Sequence, residues 1–259
     1  MTGEPRLSVC TNMSIPVVEL ENAQPGSLEI FPGEVKDSIL TLHRLAHGSS
    51  ISRKGRRDRD GVLFVVSGSV HLAWGGRFAA ASAQTLVRFP PGADWSVAAP
   101  EEACLLEIGR ILDEADRRVL ARYPQKHADI ILRNIADCPT YREKIKSEKT
   151  VNRMLLPEGY VPRLCMGSVQ TRGPDDVGVH EHPMLDQLFL GLEDCRCTVF
   201  ADDAAALLEE GWLLHIPLAS RHRVSVAEGD LLHYMWIDFF ETLEGEAYMG
   251  QAHQMDGEG

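Results

Sequence analysis

The sequence predicts a mainly β protein, with two β domains joined by a helical connector. Three observations carry that expectation. Short apolar runs bounded by Gly, Pro and Asp recur through residues 26–110, and the same texture returns after Tyr160. Between them, from about Leu112 to Lys149, the pattern turns helical. Two β-rich segments of similar length flanking a helical link point to an internal duplication. With 259 residues, 44% of them hydrophobic, the chain has the material for two domain-sized cores.

In the first half Ser38–Leu45, Val62–Val66, Val70–Trp74 and Cys104–Ile108 read as antiparallel strands. Gly68-Ser69 and Gly75-Gly76 are hairpin punctuation, because positive φ is cheap only for glycine. The connector opens with Asp113 to Arg122, which has an acidic first turn, basic residues later and Pro124 as a stop. A second helix is expected over Lys126–Ile135. Strands are then expected at Arg163–Gln170, Leu188–Leu192, Cys195–Phe200, Leu213–Ile216, Arg223–Val226 and Leu231–Phe240. These elements set the expected organisation: an N-terminal β domain over 14–111, a helical connector over 112–150, a C-terminal β domain over 151–240, and a flexible acidic tail over 241–259.

The net charge of −12 argues against a nucleic-acid partner, since polyanions are bound by surplus Lys and Arg. The basic run Arg53 to Arg59 is broken by Asp58 and followed by Asp60, and reads as a solvated loop. No stretch approaches the ~20 apolar residues of a membrane span, and the first residues lack a signal-peptide layout, so no membrane and a cytoplasmic location are expected. The six cysteines are scattered, which suits reduced thiols. Cys195 and Cys197, two apart on a strand, share a face and read as small packed hydrophobes.

The sharpest chemistry lies in Gly178-Val-His180-Glu-His182-Pro-Met-Leu-Asp-Gln187. On a strand, residues two apart point the same way, so both imidazoles face one side while Glu181 faces the other. Gln187, after a four-residue turn, can return an amide oxygen to the same place. In Gly211-Trp-Leu-Leu-His-Ile-Pro217-Leu-Ala-Ser-Arg-His222 a strand ends at Pro217 and His222 arrives after a short turn as a third imidazole. His215 falls outside either pattern and reads as a hydrogen-bonded or exposed histidine.

On these residues the chain resembles the cupin superfamily. The first cupin motif, Gly, a spacer, His-x-His and a following Glu or Gln, is matched by Gly178, His180, His182 and Gln187. The second, Gly, five residues, Pro, four residues, His, is matched by Gly211, Pro217 and His222. The resemblance implies two jelly-roll (double-stranded β-helix) barrels, a bicupin, with one divalent metal held by His180, His182, Gln187 and His222. In the first half the corresponding positions fall on Lys54, Arg56, Gly61 and Trp95, which cannot hold a divalent cation, so that barrel is expected to be metal-free. The Asn that usually follows the second-motif His is missing near Val226, and Asp194 stands where a turn Gly is usual.

Three imidazoles and an amide oxygen are all neutral, so the ion keeps its full double charge and serves as a Lewis acid toward an anionic or carbonyl-bearing small molecule. N/O ligation fits Fe, Mn, Ni, Co or Zn alike. The Gln-containing set is similar to that of cupin isomerases, among them those that linearise unsaturated uronates. The expected function is therefore an isomerase or lyase acting on a small polar acid or a sugar-derived carbonyl compound. An Fe(II) dioxygenase and a non-catalytic small-molecule sensor are the alternatives. Candidate groups for the reaction are Arg163 for a substrate carboxylate, with Tyr234 and Asp238 for proton transfer. Which face of the last strand points inward stays open. No Lys follows Lys149, which argues against Schiff-base chemistry in a barrel beginning at 151. The chain could act alone or as a homodimer.

Overall fold

A computed structural model describes residues 15–122, 124–182 and 184–248. The chain divides into two compact units. One comprises Ala23–Asp137 with Gly159–Pro162; the other gathers the residues up to Asn22, Cys138–Glu158, and those from Arg163 onward.

The first unit packs a six-stranded antiparallel sheet on a four-stranded one. The larger runs Ile131–Asn134, Thr85–Arg88, Arg59–Ser67, Ala103–Ile111, Ser38–Leu45, Gly26–Ile30; the smaller runs Ser50–Arg53, Trp95–Ala98, Ser69–Trp74, Arg77–Ser82. Alternation along each strand sends Leu45, Leu63, Val65, Leu105, Val70, Leu72 and Val97 into one shared core. Gly75 and Gly76 both have positive φ and close the tight hairpin that pairs Trp74 with Arg77.

The second unit repeats the plan. Its larger sheet runs Val17–Glu19, Trp212–Ile216, Leu185–Gly191, Leu231–Phe240, Leu164–Arg172, Val151–Val161, Thr140–Tyr141; its smaller runs Asp175–His180, His222–Val226, Arg196–Ala201, Ala204–Glu209. Val169, Val177, Leu185, Phe189, Val199, Leu208, Leu214 and Trp236 meet between them. Cys195 and Cys197 are both buried there as free thiols on one face.

Four expectations need correction. Val17–Glu19, assigned by sequence position to the first β domain, pairs with Trp212–Leu214 and completes the second barrel. The expected helix over Lys126–Ile135 is instead a short 3-10 turn, Pro124–His127, followed by the strand Ile131–Asn134. That strand pairs with Thr85–Arg88, and Asn134 Nδ2 donates to the Ala83 carbonyl and Thr85 Oγ1. An available sheet edge and an Ile-Ile-Leu run outweigh the modest helical propensity of this stretch. Residues 138–150, placed in the connector, belong to the second unit. Finally, residues 243–248 of the expected flexible tail are helical, with Thr242 Oγ1 accepting from Gly245 N and Glu246 buried; the rest of the tail lies outside the described residues.

The helix Glu114–Arg122 forms as read: Asp113 Oδ1 accepts from Asp116 N, and Asp116 Oδ2 accepts from Asp113 N, a reciprocal cap. Among the described residues no helix is long and apolar enough to cross a membrane.

One polar contact in the first unit carries unusual weight. Arg88 Nη2 donates to Asp60 Oδ2 at 2.7 Å, and both side chains are almost fully buried, while Arg88 Nε and Nη1 find no protein partner. Removing one partner of such a pair costs more than removing both. Asp60→Ala is expected to lower stability by about 3–5 kcal/mol. The double replacement Asp60→Leu with Arg88→Met should cost less, as compared by urea denaturation midpoints.

Candidate metal centre

Two opposed sheets deliver the site. The smaller sheet contributes His180, the last residue of its strand, and His222, the first residue of the neighbouring one, which stand opposite each other. His182 follows two residues on, with Glu181 between them turned outward toward Arg221. Gly211, at φ 72°, makes the left-handed turn that starts the strand Trp212–Ile216 and the path to His222. The His180 and His222 ring centroids are 4.2 Å apart, and His182 lies 4.9 Å from the first and 5.5 Å from the second. One nitrogen from each ring falls within 4.8 Å of the others, the one such His/Cys/carboxylate cluster among the described residues.

The tautomers suit a cation. His180 Nδ1 donates to the Gly178 carbonyl at 2.7 Å and His222 Nδ1 to the Ser220 carbonyl at 3.1 Å. A carbonyl can only accept, so each ring keeps its proton on Nδ1 and turns an Nε2 lone pair to the site. His222 Nε2 is buried with no hydrogen-bond partner. Burial lowers the pKa of both rings, His222 to about 4 with the adjacent His180 adding to the shift.

The larger sheet contributes Gln187. It shares the inward face of its strand with Leu185 and Phe189, and the Phe189 ring edges His222 at 5.8 Å. Gln187 Nε2 donates to Asp238 Oδ1 at 2.7 Å, while Gln187 Oε1 is buried and without a partner. Asp238 thereby decides which end of the amide faces the barrel interior. A buried acceptor oxygen and a buried imidazole nitrogen, both lacking donors, are what a divalent cation would satisfy. The donor set fits one.

Asp238 is brought to the site, as the partner of Gln187, and the open question about the last strand resolves: Leu232, Tyr234, Trp236 and Phe240 are in the core, so Asp238 faces inward with them. Tyr234 packs on Phe189 with ring centroids 4.6 Å apart and the planes tilted by 39°, and complete burial holds its phenol well above the usual range. Arg163 sits at φ 60° in the turn before Leu164–Arg172; its backbone N donates to Glu246 Oε2 and its carbonyl accepts from Phe240 N. His215 is buried, with Nε2 3.3 Å from Asp186 Oδ1. The four first-barrel counterparts hold no such set: Lys54 pairs with Asp94, Arg56 with Asp58, Trp95 stacks on Phe89, and Gly61 has no side chain.

Sequence reasoning missed one group of residues. Lys146 Nζ lies 2.9 Å from Glu143 Oε2 and donates to Asn152 Oδ1 at 2.9 Å, with its side chain only 6% exposed. Burial lowers its pKa, opposed first by Glu143 and then by Asp238, and its charge in turn helps lower that of His180. The pair therefore stands within electrostatic reach of His180. Tyr141 is beside it; burial and then the Glu143 charge push its phenol far up. The segment is moored by Gly178 N donating to the Ile145 carbonyl and by Ser147 Oγ donating to Asp175 Oδ2. A cavity of about 300 Å³ opens along it, lined by Glu143, Lys146, Ser147 and Asn152 among others. The sequence signal was the charge-dense run Tyr141 to Lys149, set aside as connector.

Two outcomes follow for the metal. Asp238→Ala frees the Gln187 amide to rotate and is expected to weaken divalent-metal affinity about 10- to 100-fold in chelator competition, with the fold intact. Three imidazoles of ordinary pKa would together lose about a thousandfold in affinity per pH unit below 6.5. Because burial lowers the pKa of His180 and brings that of His222 to about 4, the measured loss between pH 6.5 and 5 should be clearly shallower than about a thousandfold per unit.

No protein-family model matches the chain, and no curated protein matches it in sequence. Solved structures match its fold along most of its length. A cupin 2 conserved barrel domain protein from Leptotrichia buccalis is 16% identical with a TM-score of 0.64, covering 92% of this chain and 99% of its own. A Pseudomonas aeruginosa protein described as glyoxylate-induced is 13% identical with a TM-score of 0.71, covering 92% and 93%. Oxalate decarboxylase from Lactobacillus farciminis, in complex with formate, is 14% identical with a TM-score of 0.62, covering 92% and 89%.

Proposed function

From the premise that this chain is a bicupin by fold, we propose that its second barrel is the active centre of a metal-dependent isomerase or lyase. Its substrate is a small polar acid or a sugar-derived carbonyl compound. The observation that carries the reading is the pairing of two buried, partnerless donors, Gln187 Oε1 and His222 Nε2, with the ion pair Glu143–Lys146 in the same barrel. His180, His182, Gln187 and His222 would hold the ion. When bound, it supplies Lewis-acid polarisation of a substrate carbonyl or carboxylate oxygen.

The chain's own groups supply the proton chemistry. Glu143 Oε2, held by Lys146, accepts a proton from the carbon next to the polarised carbonyl. Lys146 Nζ then offers a proton to the neighbouring carbon in an isomerisation, or to the departing group in a lyase reaction. Asn152 holds Lys146 in place. Tyr141, kept as a phenol, donates a hydrogen bond rather than a charge. Asp238 acts through Gln187 and is a positioning residue. That one fold neighbour is named an oxalate decarboxylase accords with a small acid and with the lyase branch.

The test is solvent-deuterium incorporation at substrate carbon, followed by NMR across a panel of small 2-oxo acids and uronates with the metal-loaded protein. Lys146→Met should lower kcat about 10²- to 10⁴-fold with metal content unchanged, and His222→Ala should lose both metal and exchange. Turnover that consumes O₂ would overturn this reading in favour of an iron dioxygenase, for which three imidazoles also suffice.

A further inference from the structure

The first barrel, without metal ligands, is not filled solid. Its apolar core is made of Leu45, Leu63, Val65, Leu105 and their neighbours. Along the same strands the inward face then changes character: Leu45 gives way to Thr41 and Ile39, Leu63 to Gly61 and Arg59, Leu105 to Glu107 and Gly109. These residues line a cavity of about 230 Å³. Its wall is aromatic, with Phe89 and Trp95 stacked at 4.8 Å and 7° between ring planes.

Nearly every charge around the cavity is already matched. Glu107 accepts from His43 Nε2 at 2.7 Å and from Arg53 Nη2 at 2.9 Å; His43 is itself fixed by Ser27 Oγ at Nδ1. Arg53 spends its remaining reach on Glu107 Oε1 and the Ser52 carbonyl. At the mouth Lys54 pairs with Asp94 and Arg56 with Asp58. Gly55 N donates to Asp94 Oδ1, and Gly55 packs so closely on Gly92 that a Cβ there would meet its carbonyl oxygen at 1.9 Å, so the two rim loops are locked together. Two cavity-lining groups are left over. Arg59 is half-buried and makes no close ion pair or side-chain hydrogen bond among the described residues, although its charge reaches Asp58, which Arg56 already holds; the Thr41 hydroxyl likewise makes no hydrogen bond among them. In a chain of net charge −12, one surplus guanidinium and one spare hydroxyl beside an aromatic wall form a local exception.

We propose that this cavity is a second binding site, for a small planar carboxylate: the carboxylate on Arg59 and Thr41, the flat carbon body against Phe89 and Trp95. The volume lies below the ~300 Å³ at which drug-sized pockets begin, which suits an aromatic acid and excludes a nucleotide. The guanidinium fork matches a carboxylate, and a neutral isostere forfeits that charge-assisted contact. The site is separate from the metal centre and does not depend on the reaction assigned to it.

Benzoate and benzamide serve as probes, titrated calorimetrically into the full chain bearing His180→Ala and His222→Ala, so that the metal centre contributes nothing. Saturable binding of benzoate at one site per chain is expected, with benzamide weaker by about tenfold or more. Arg59→Gln and Trp95→Leu should each weaken benzoate about tenfold or more, while Arg57→Gln, on the exposed rim, leaves it unchanged. Circular dichroism melts confirm that each variant is folded. No saturable heat with benzoate up to about 10 mM, which corresponds to less than about 3 kcal/mol of binding, overturns the proposal. Equal binding of benzamide, or full binding by Arg59→Gln, also overturns it.

Discussion

The hydrogen bond from Gln187 Nε2 to Asp238 Oδ1 fixes the chemistry of the second barrel, because it turns an ambiguous side chain into a defined one. A glutamine amide presents either a donor or an acceptor, and only the acceptor suits a cation. Asp238 is acceptor-only when ionised, so the bond leaves Gln187 Oε1 to face the interior. The carbonyls of Gly178 and Ser220 do the same for two imidazoles. Each of these three donors is thus oriented by a group behind it, and the neutral set leaves an ion's double charge undiminished. The Asp238 carboxylate sits one hydrogen bond behind Gln187.

The segment 138–158 adds a largely buried ion pair, Glu143–Lys146, to that barrel. A buried Glu–Lys pair is weak evidence of stabilisation, since desolvating two charges consumes most of what their attraction returns. Under the proposed reading its place in the barrel is functional rather than stabilising. Ile145 and Ser147 are tied by backbone and side chain to the strand that ends in His180, so the Glu143–Lys146 segment and that imidazole share one piece of framework.

How much of this could be read from the sequence follows from range. Period-two alternation is local, and Ser38–Leu45 and Leu231–Phe240 form over the residues expected. Motif spacing is also local, and it was enough to bring His180, His182 and His222 together. Ile131–Asn134 was misread because its partner strand lies more than forty positions upstream, and an open sheet edge leaves no mark on the segment that fills it. Val17–Glu19 was assigned to the wrong barrel for the same reason, its partner being Trp212–Leu214. Lys146 was missed because nothing in a charge-dense run tells which lysine folds inward, and burial is what separates it from Lys144 and Lys149. Tyr234 was legible as an inward residue once the register was known, yet its packing on Phe189 makes it part of the wall.

The two barrels show what one architecture allows when its inward positions change. At the places that motif spacing aligns, one barrel carries imidazoles and an amide, the other Lys54, Arg56, Gly61 and Trp95, although the register sets Arg53 rather than Lys54 opposite Trp95, as His180 stands opposite His222. Without a metal set the first interior still holds an open cavity. The His43–Glu107–Arg53 network supports it with matched charge, Phe89 and Trp95 line it, and Gly61 lies so close to the neighbouring strand that a Cβ would meet the Ile108 carbonyl oxygen at 2.1 Å. A barrel kept only as scaffold gains nothing from a buried network around an open cavity, because the same volume filled with aliphatic side chains would be more stable. Keeping the cavity open and polar, with Arg59 in no close ion pair, carries a cost in stability that binding of the proposed carboxylate would offset.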